Sequence, residues 1–353
     1  MLPISVCIIG KNEEKFIEGC LQHLVPYDWE IIFVDTGSTD KTREIATKYT
    51  EKVYDFEWIK DFSAARNFAA SKATRDWILA IDCDEYVEKF DVEALAKMLK
   101  SYPDSSAFVD IHNLSDDMEH YTKTPVYRLY PKIFFHFVNA IHEQLVRIDK
   151  KPATSFHSGI VAKHFGYISS QTDLEKKNKR NLELLLEIIK KEPDNPYHYF
   201  QAGISYMNLR DYDSAVTYFT KATEYDVDPK ISWVKELIYY YGITLINAGL
   251  SSVALGLEGV YEDFKQVPEY IYLMGLIYAA NGMYAKSLTM LGKVITMAEE
   301  CQIVAGVTSY LGYFQLGNIC HHLNKDELAT VYLKKAGSYA PAKELLSKIV
   351  GGK

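Results

Sequence analysis

The sequence predicts an α/β domain on a mostly parallel, doubly wound sheet, followed by an all-α solenoid of helical repeats. Three observations lead there. Short apolar runs alternate with helical patterns over the first half of the chain. The strand signal gives way to helices from Asp173 onward. In the second half a small residue recurs at a fixed offset from a glycine.

The first strand is expected at residues 4–9, closed by Gly10-Lys11-Asn12-Glu13, and the second at residues 30–35, closed by Thr36-Gly37-Ser38-Thr39-Asp40. Helical patterns occupy residues 15–24 and 41–49, the latter with Ser38 or Thr39 as its N-cap. Such an order winds with right-handed crossovers. Asp35 then falls at the carboxyl end of a core strand, where its side chain can accept hydrogen bonds from a nucleotide base or ribose. The first turn lacks the Gly-x-Gly-x-x-Gly spacing, which argues against a dinucleotide site. The run at residues 77–85, WILAIDCDE, reads as a third buried strand ending in Asp82-Cys83-Asp84. Two carboxylates that close repel, and a hard divalent cation that also grips a diphosphate removes the repulsion. An acidic surface turn is the bland alternative for that tripeptide taken alone.

Four segments in order, ISVCIIGKNEE, VDTGSTD, DFSAARNFA and ILAIDCDE, resemble a family 2 glycosyltransferase of the GT-A fold over roughly the first half of the chain. The resemblance implies that the first strand end (Ile9, Asn12 and Glu13) and Asp35 hold the uracil of a UDP-sugar. It implies that Arg66 approaches the base or diphosphate, that Asp82 lies nearer the sugar of the nucleotide, and that Asp84 binds the metal. A surface arginine on an amphipathic helix is the alternative for Arg66.

Residues 125–167 carry a basic-aromatic strand ending in His142-Glu143 and a later His-x-Gly-Tyr that begins at His164. Both elements resemble the peptide glycosyltransferases that modify glycocin bacteriocins of the sublancin type, and family 2 enzymes with helical repeats. Inverting transfer needs a base to take the acceptor proton. Glu143 is the candidate base, with His142 a neighbouring acceptor or sugar contact; orientation of a loop is the alternative for Glu143. His164 is the candidate third protein ligand of the metal, since a neutral imidazole suits Mn²⁺ better than Mg²⁺. A satisfied strand-end histidine is its alternative.

A basic amphipathic helix is expected from Asp173 to residue 191, stopped by Glu192-Pro193-Asp194-Asn195-Pro196. Its Arg180-Asn181 pair resembles the glycocin enzymes, which makes Arg180 a candidate diphosphate contact and a solvated helix face the alternative. The expected domains are therefore residues 1–170, a connecting helix and linker at 171–195, and repeats at 196–353.

Gly203 precedes Ala215, Gly242 precedes Ala254, Gly275 precedes Ser287 and Gly317 precedes Ala329, each by twelve positions. This offset, with Tyr199, Tyr206 and Phe219 around the first copy, fits the tetratricopeptide pattern. Tyr239, Tyr240, Tyr241, Tyr270, Tyr272 and Tyr278 are expected mainly to pack between helices, with some free to line a groove for a flexible peptide.

Composition bounds the partners. A net charge of −8 disfavours nucleic acid and leaves room for a cationic peptide. No apolar stretch reaches the ~18–20 residues of a membrane span, and the amino terminus lacks a charged segment before an apolar run. Five scattered cysteines without a CxxC pair argue for a reducing compartment, hence a cytoplasmic location, and against zinc. His321-His322 reads as an interhelical turn. The expected function is a Mn²⁺- or Mg²⁺-dependent inverting glycosyltransferase that moves sugar from a UDP-sugar to Cys, Ser or Thr of a peptide or protein, captured by the repeats. One alternative is an enzyme acting on a cell-envelope or lipid-linked glycan, with repeats that form a homodimer. Another is a non-catalytic scaffold.

Overall fold

The structure is a computed structural model that describes residues 2–114, 121–166, 171–298 and 304–351. Tyr167 and Cys301 lie outside the described residues. The chain divides into two compact units, Met1–Lys177 and Asn178–Lys353.

In the first unit the strands are β1 (Ile4–Gly10), β2 (Glu30–Asp35), β3 (Val53–Asp55), β4 (Trp77–Asp82), β5 (Glu85–Val87), β6 (Ser106–Leu114), β7 (Tyr121–Pro131), β8 (Phe135–Val138), β9 (Gln144–Arg147) and β10 (Ser155–His164). Helices α1 (Ile17–Leu24), α2 (Thr42–Thr47), α3 (Phe62–Lys72) and α4 (Val92–Ser101) separate them. Eight strands form one sheet in the order β3-β2-β1-β4-β7-β6-β10-β5, and β8 pairs with β9 as a separate hairpin. The pairs β2–β3, β1–β2, β1–β4 and β6–β10 are parallel; β4–β7, β6–β7 and β5–β10 are antiparallel.

Alternation along β1 explains why both faces are covered. Ile4, Val6 and Ile8 join one core with Ile17, Leu21 and Leu24 of α1. Cys7 and Ile9 join the opposite core with Ala65 and Ala69 of α3. The chain leaves β1 toward β2 and β3, then returns to β4 on the other side of β1. That reversal opens a crevice at the carboxyl ends of β1 and β4, where open α/β sheets bind ligands.

Two local expectations are corrected. Helix α2 begins after Lys41, and its cap comes from Asp40, whose Oδ1 accepts from the Thr42 backbone N–H at 2.9 Å and from the Thr42 hydroxyl. Ser38 and Thr39 face the first loop instead: Ser38 Oγ accepts from the Asn12 N–H at 3.0 Å, and the Thr39 N–H donates to Asn12 Oδ1 at 2.8 Å. The basic-aromatic run is not one strand. It ends β7 at Pro131, turns through Lys132–Phe134 with the Phe134 N–H on the Pro131 carbonyl, and restarts as β8.

The second unit is helical. A helix α5 (Gln171–Lys191) crosses the division between the units and is followed by α6 (Pro196–Asn208), α7 (Tyr212–Thr223), α8 (Ser232–Asn247), α9 (Ser251–Ala254) and α10 (Tyr261–Phe264). Then come α11 (Pro268–Ala280), α12 (Tyr284–Val294), α13 (Tyr310–His322), α14 (Asp326–Lys335) and α15 (Ala340–Gly351). Asn195 caps α6 by accepting from the Tyr197 N–H at 3.1 Å, with Pro196 at the first helical position.

The repeat pattern has a packing cause. A Cβ on Gly203 would meet the Phe219 ring at 2.5 Å, one on Gly275 would meet Leu291 at 2.8 Å, and one on Gly317 would meet Leu333 at 2.7 Å. Ala215, Ser287 and Ala329 are fully buried at the same junctions, and Ser287 Oγ donates to the Gly275 carbonyl at 2.6 Å. The copy at Gly242 departs from this scheme. Gly242 meets Leu273 of α11, because the partner segment after Ala254 tightens into a 3₁₀ helix at Leu255–Val260. Gly256 and Gly259 within it are poor α-helix formers. Tyr270, Tyr272 and Tyr278 are buried, the Tyr270 hydroxyl donating to the Leu257 carbonyl at 2.8 Å.

Candidate active site

Strand register assembles the site. In the parallel sheet Gly10 stands opposite Asp35, and Ile9 stands opposite Asp82. The ends of β1, β2 and β4 thus share one row along the crevice. Gly10 is required there, since a Cβ would meet Cys83 Sγ at 2.6 Å and the Phe33 ring at 3.1 Å. Ile9 turns its side chain into the core, and its carbonyl accepts from the Cys83 thiol at 3.5 Å.

The loops after β1 and β2 are cross-linked. Asp35 is buried, and its Oδ1 accepts from the backbone N–H groups of Gly37 and Ser38, so the carboxylate has a fixed direction. Asn12 adopts the left-handed conformation, with φ of 58°, and spends its side-chain oxygen on the second loop, as described above. The Glu13 N–H donates to Thr42 Oγ1 at 2.6 Å. These contacts give Asn12 and Glu13 a wall-building role beside Asp35.

At the end of β4 lies a buried ionic network. Arg66, on α3, is 5% exposed, which excludes the surface-arginine alternative. Its Nη2 donates to Asp82 Oδ1 at 2.7 Å and its Nε to Glu143 Oε1 at 2.5 Å. Arg128, on β7, donates through Nη2 to Asp82 Oδ2 at 2.8 Å and to Glu85 Oε1 at 3.3 Å. Glu85 Oε2 in turn accepts from the Asp82 backbone N–H at 2.9 Å. Each oxygen of Asp82 is therefore matched to one guanidinium. Burial alone would raise the Asp82 carboxyl, but Arg128 and Arg66 hold it well below the ordinary carboxylate range. Glu143 follows the same logic and is also lowered, whereas burial prevails at Glu85 and raises it despite Arg128.

The loop that carries Glu143 is held from α3. Asn67 donates through Nδ2 to the Phe137 carbonyl at 2.8 Å and accepts the Phe137 N–H through Oδ1 at 2.9 Å. The Phe62 N–H binds the Ala140 carbonyl at 2.8 Å. Within the loop Asn139 and His142 adopt left-handed backbone conformations, with φ of 71° and 52°. For a non-glycine residue this is backbone strain of the kind that clusters at functional sites.

Asp84 sits one step beyond this network. Its Oδ2 faces His164 Nε2 at 3.2 Å, and the Phe165 N–H donates to the Asp84 carbonyl at 2.9 Å. Burial would lower the His164 imidazole, but the Asp84 carboxylate outweighs it and raises the group. A Cβ on Gly166 would overlap both Asp84 Oδ2 and His164 Nε2, so only glycine lets the backbone pass this close to the pair. A divalent ion fits this donor set of one carboxylate and one imidazole. Among the described residues no group of three His, Cys, Asp or Glu side chains is placed to hold an ion. Two protein donors match an ion that completes its shell with water and phosphate oxygens rather than a closed protein cage. The expected set of three ligands is not assembled: the guanidiniums take up Asp82, and His164 is left facing Asp84 alone.

Arg180 lies in the second unit, exposed on α5, with Asn181 Oδ1 at 3.4 Å from its Nη2. The residues that sequence reasoning missed are Arg128, Glu85 and Asn67. Two of them stand beside a residue already singled out, Asn67 directly after Arg66 and Glu85 directly after Asp84. No local periodicity announces that Arg128 crosses from β7 to the end of β4.

Comparison with known proteins agrees with this arrangement. Residues 5–161 match the family described as Glycosyl transferase family 2, and residues 199–228 match Tetratricopeptide repeat. Glycosyltransferase SunS of Bacillus phage SPbeta is 30% identical over 229 residues, 62% of this chain and 53% of that protein. The lipopolysaccharide core biosynthesis glycosyltransferase LpsC of Rhizobium meliloti is 30% identical over 102 residues, 28% of this chain and 37% of that protein. A TPR repeat-containing protein of Synechococcus elongatus is 44% identical over 85 residues, 24% of this chain and 21% of that protein. The chain thus spans about half the length of SunS. No helix among the described residues is long and apolar enough to cross a membrane.

Proposed function

Given a family 2 glycosyltransferase domain in its first unit and a tetratricopeptide repeat in its second, we propose that the protein transfers a sugar from a UDP-sugar to a peptide or protein side chain, with inversion at the anomeric carbon. The observation that carries this reading is the row of strand ends Gly10, Asp35 and Asp82, with the Asp84–His164 pair just beyond it. The oriented Asp35 carboxylate supplies an acceptor for the imide N–H of uracil. Arg66 and Arg128, clamped on Asp82, keep two guanidiniums rigid beside the space for the diphosphate and sugar. Asp84 and His164 would hold Mn²⁺ or Mg²⁺, which neutralises charge on the departing UDP.

Glu143 is the proposed base, and the acceptor nucleophile is a Ser or Thr hydroxyl or a Cys thiol. A thiol is more acidic and needs less help. The motif resemblance to the glycocin peptide glycosyltransferases favours a peptide acceptor, and the repeats suit its capture. Likeness to LpsC favours a second reading, in which the acceptor is a cell-envelope glycan.

The test is intact-mass measurement of candidate peptides incubated with a panel of UDP-sugars and Mn²⁺. A hexose-sized increment on a peptide is expected, lost in excess EDTA and in Asp84→Ala, with the mutant's melting curve unchanged. Full transfer in EDTA would remove the metal from the reading. Sugar added to a lipid-linked or envelope glycan, with peptides untouched, would favour the second reading.

A further inference from the structure

We propose that Asn113 is a positioning residue that fixes the tautomer and ring orientation of His164, so that its Nε2 is presented to a metal ion beside Asp84. The inference rests on the reading of Asp84 and His164 as metal donors. Asn113 and His164 are direct neighbours in the parallel register of β6 and β10. Asn113 Oδ1 lies 2.8 Å from His164 Nδ1, while Asn113 Nδ2 donates to Thr124 Oγ1 on β7 at 3.1 Å. With the amide placed this way its oxygen faces the imidazole, and the Thr124 hydroxyl takes the amide N–H as acceptor. An amide oxygen only accepts, so Nδ1 carries the hydrogen.

In the neutral ring Nε2 then presents a lone pair, and that lone pair faces the Asp84 carboxylate at 3.2 Å. Two acceptors pointed at one another make a poor contact by themselves and a ready pair of donors for a cation placed between or beside them. Gly166 brings the backbone close to both atoms without a side chain between them. The chain Thr124–Asn113–His164–Asp84 thus runs from the surface of β7 to the proposed metal donors. Outer partners of this kind usually contribute about 10- to 100-fold in metal affinity.

The experiment titrates Mn²⁺ alone into the full chain, read by the loss of the free-ion electron paramagnetic resonance signal. Wild type is compared with Asn113→Leu, Asn113→Asp and His164→Ala. Asn113→Leu is expected to weaken Mn²⁺ binding by about 10- to 100-fold. Asn113→Asp, which keeps an oxygen acceptor on Nδ1, should retain it. Long-range ¹⁵N–¹H spectra at a pH where the ring is neutral provide a second readout. They should report the Nδ1–H tautomer of His164 in wild type and a mixture in Asn113→Leu.

Wild type found as the Nε2–H tautomer would overturn the proposal, and this holds even if Asn113→Leu fails to fold. So would wild-type Mn²⁺ affinity in Asn113→Leu beside a clear loss in His164→Ala. Unchanged affinity in His164→Ala as well would instead sink the metal reading on which the proposal rests.

Discussion

As the proposed base, Glu143 would have to answer two demands that pull in opposite directions. A general base has to be ionised, and the Arg66 guanidinium on Glu143 Oε1 ensures that. It also has to want a proton, and the same guanidinium weakens that appetite. The expected outcome for Glu143→Gln is a loss of turnover of about 10²–10⁴-fold with donor affinity little changed, and a smaller loss for a thiol acceptor than for a hydroxyl at the same pH. Loss of UDP-sugar binding in a calorimetric titration would make Glu143 an anchor for Arg66 rather than a base.

At the amino ends of the strands, Glu30 is buried and yet held ionised. Burial raises its carboxyl, but Lys52, the Ser5 hydroxyl and Thr74 outweigh it and bring it down to about 2. The sign follows from that direction. The unfolded chain takes up the proton first, so the stabilisation is complete above the ordinary value near 4.5 and is lost as pH falls toward about 2. It amounts to about 3 kcal/mol at neutral pH. Chemical denaturation of wild type and Glu30→Gln should therefore show a gap near neutrality that narrows as pH drops below about 4.5. A gap independent of pH would refute this assignment.

Among the elements, the helix pairs of the second unit depend on what glycine leaves out. Gly203 and Gly275 sit where a Cβ would press on Phe219 and Leu291. Gly203→Ala and Gly275→Ala are each expected to cost about 1–3 kcal/mol in thermal or urea unfolding, through overpacking. Gly256 provides the contrast, because nothing lies within 4 Å of its missing Cβ and it occupies an exposed 3₁₀ helix. Gly256→Ala should be neutral or stabilising by up to about 1 kcal/mol. Equal effects at all three positions would mean that propensity, not the close approach of helices, governs these sites.

For the whole molecule the question is how work is divided between the units. The proposed donor, metal and base residues other than Arg180 all precede residue 165, and the tetratricopeptide match begins at residue 199. A fragment ending at Glu192 keeps α5 whole. It is expected to bind UDP with Mn²⁺ but to fail on peptide acceptor at ordinary concentrations. Raising the acceptor about a hundredfold should restore transfer if the repeats act by raising its local concentration. Undiminished transfer by the fragment at low acceptor would leave dimerisation as the better role for the repeats.

The strands β1, β2 and β4 were legible in the residues because a strand buried on both faces is an uninterrupted apolar run, and its end is marked where charge begins, as at Asp35 and Asp82. The glycine-to-small-residue offset was legible for a similar reason, since helix pairing repeats locally in the chain. The partners of those charges were not legible. Arg66 and Glu143 are 77 positions apart, Arg128 and Asp82 are 46 apart, and His164 and Asp84 are 80 apart. Sequence alone determined which strands end in acid and, except at the Gly242 copy, which helices must touch. Only the tertiary structure decided that two guanidiniums neutralise Asp82 while Asp84 is left facing an imidazole, because a buried charge is settled by whichever side chains the sheet register brings within hydrogen-bonding distance.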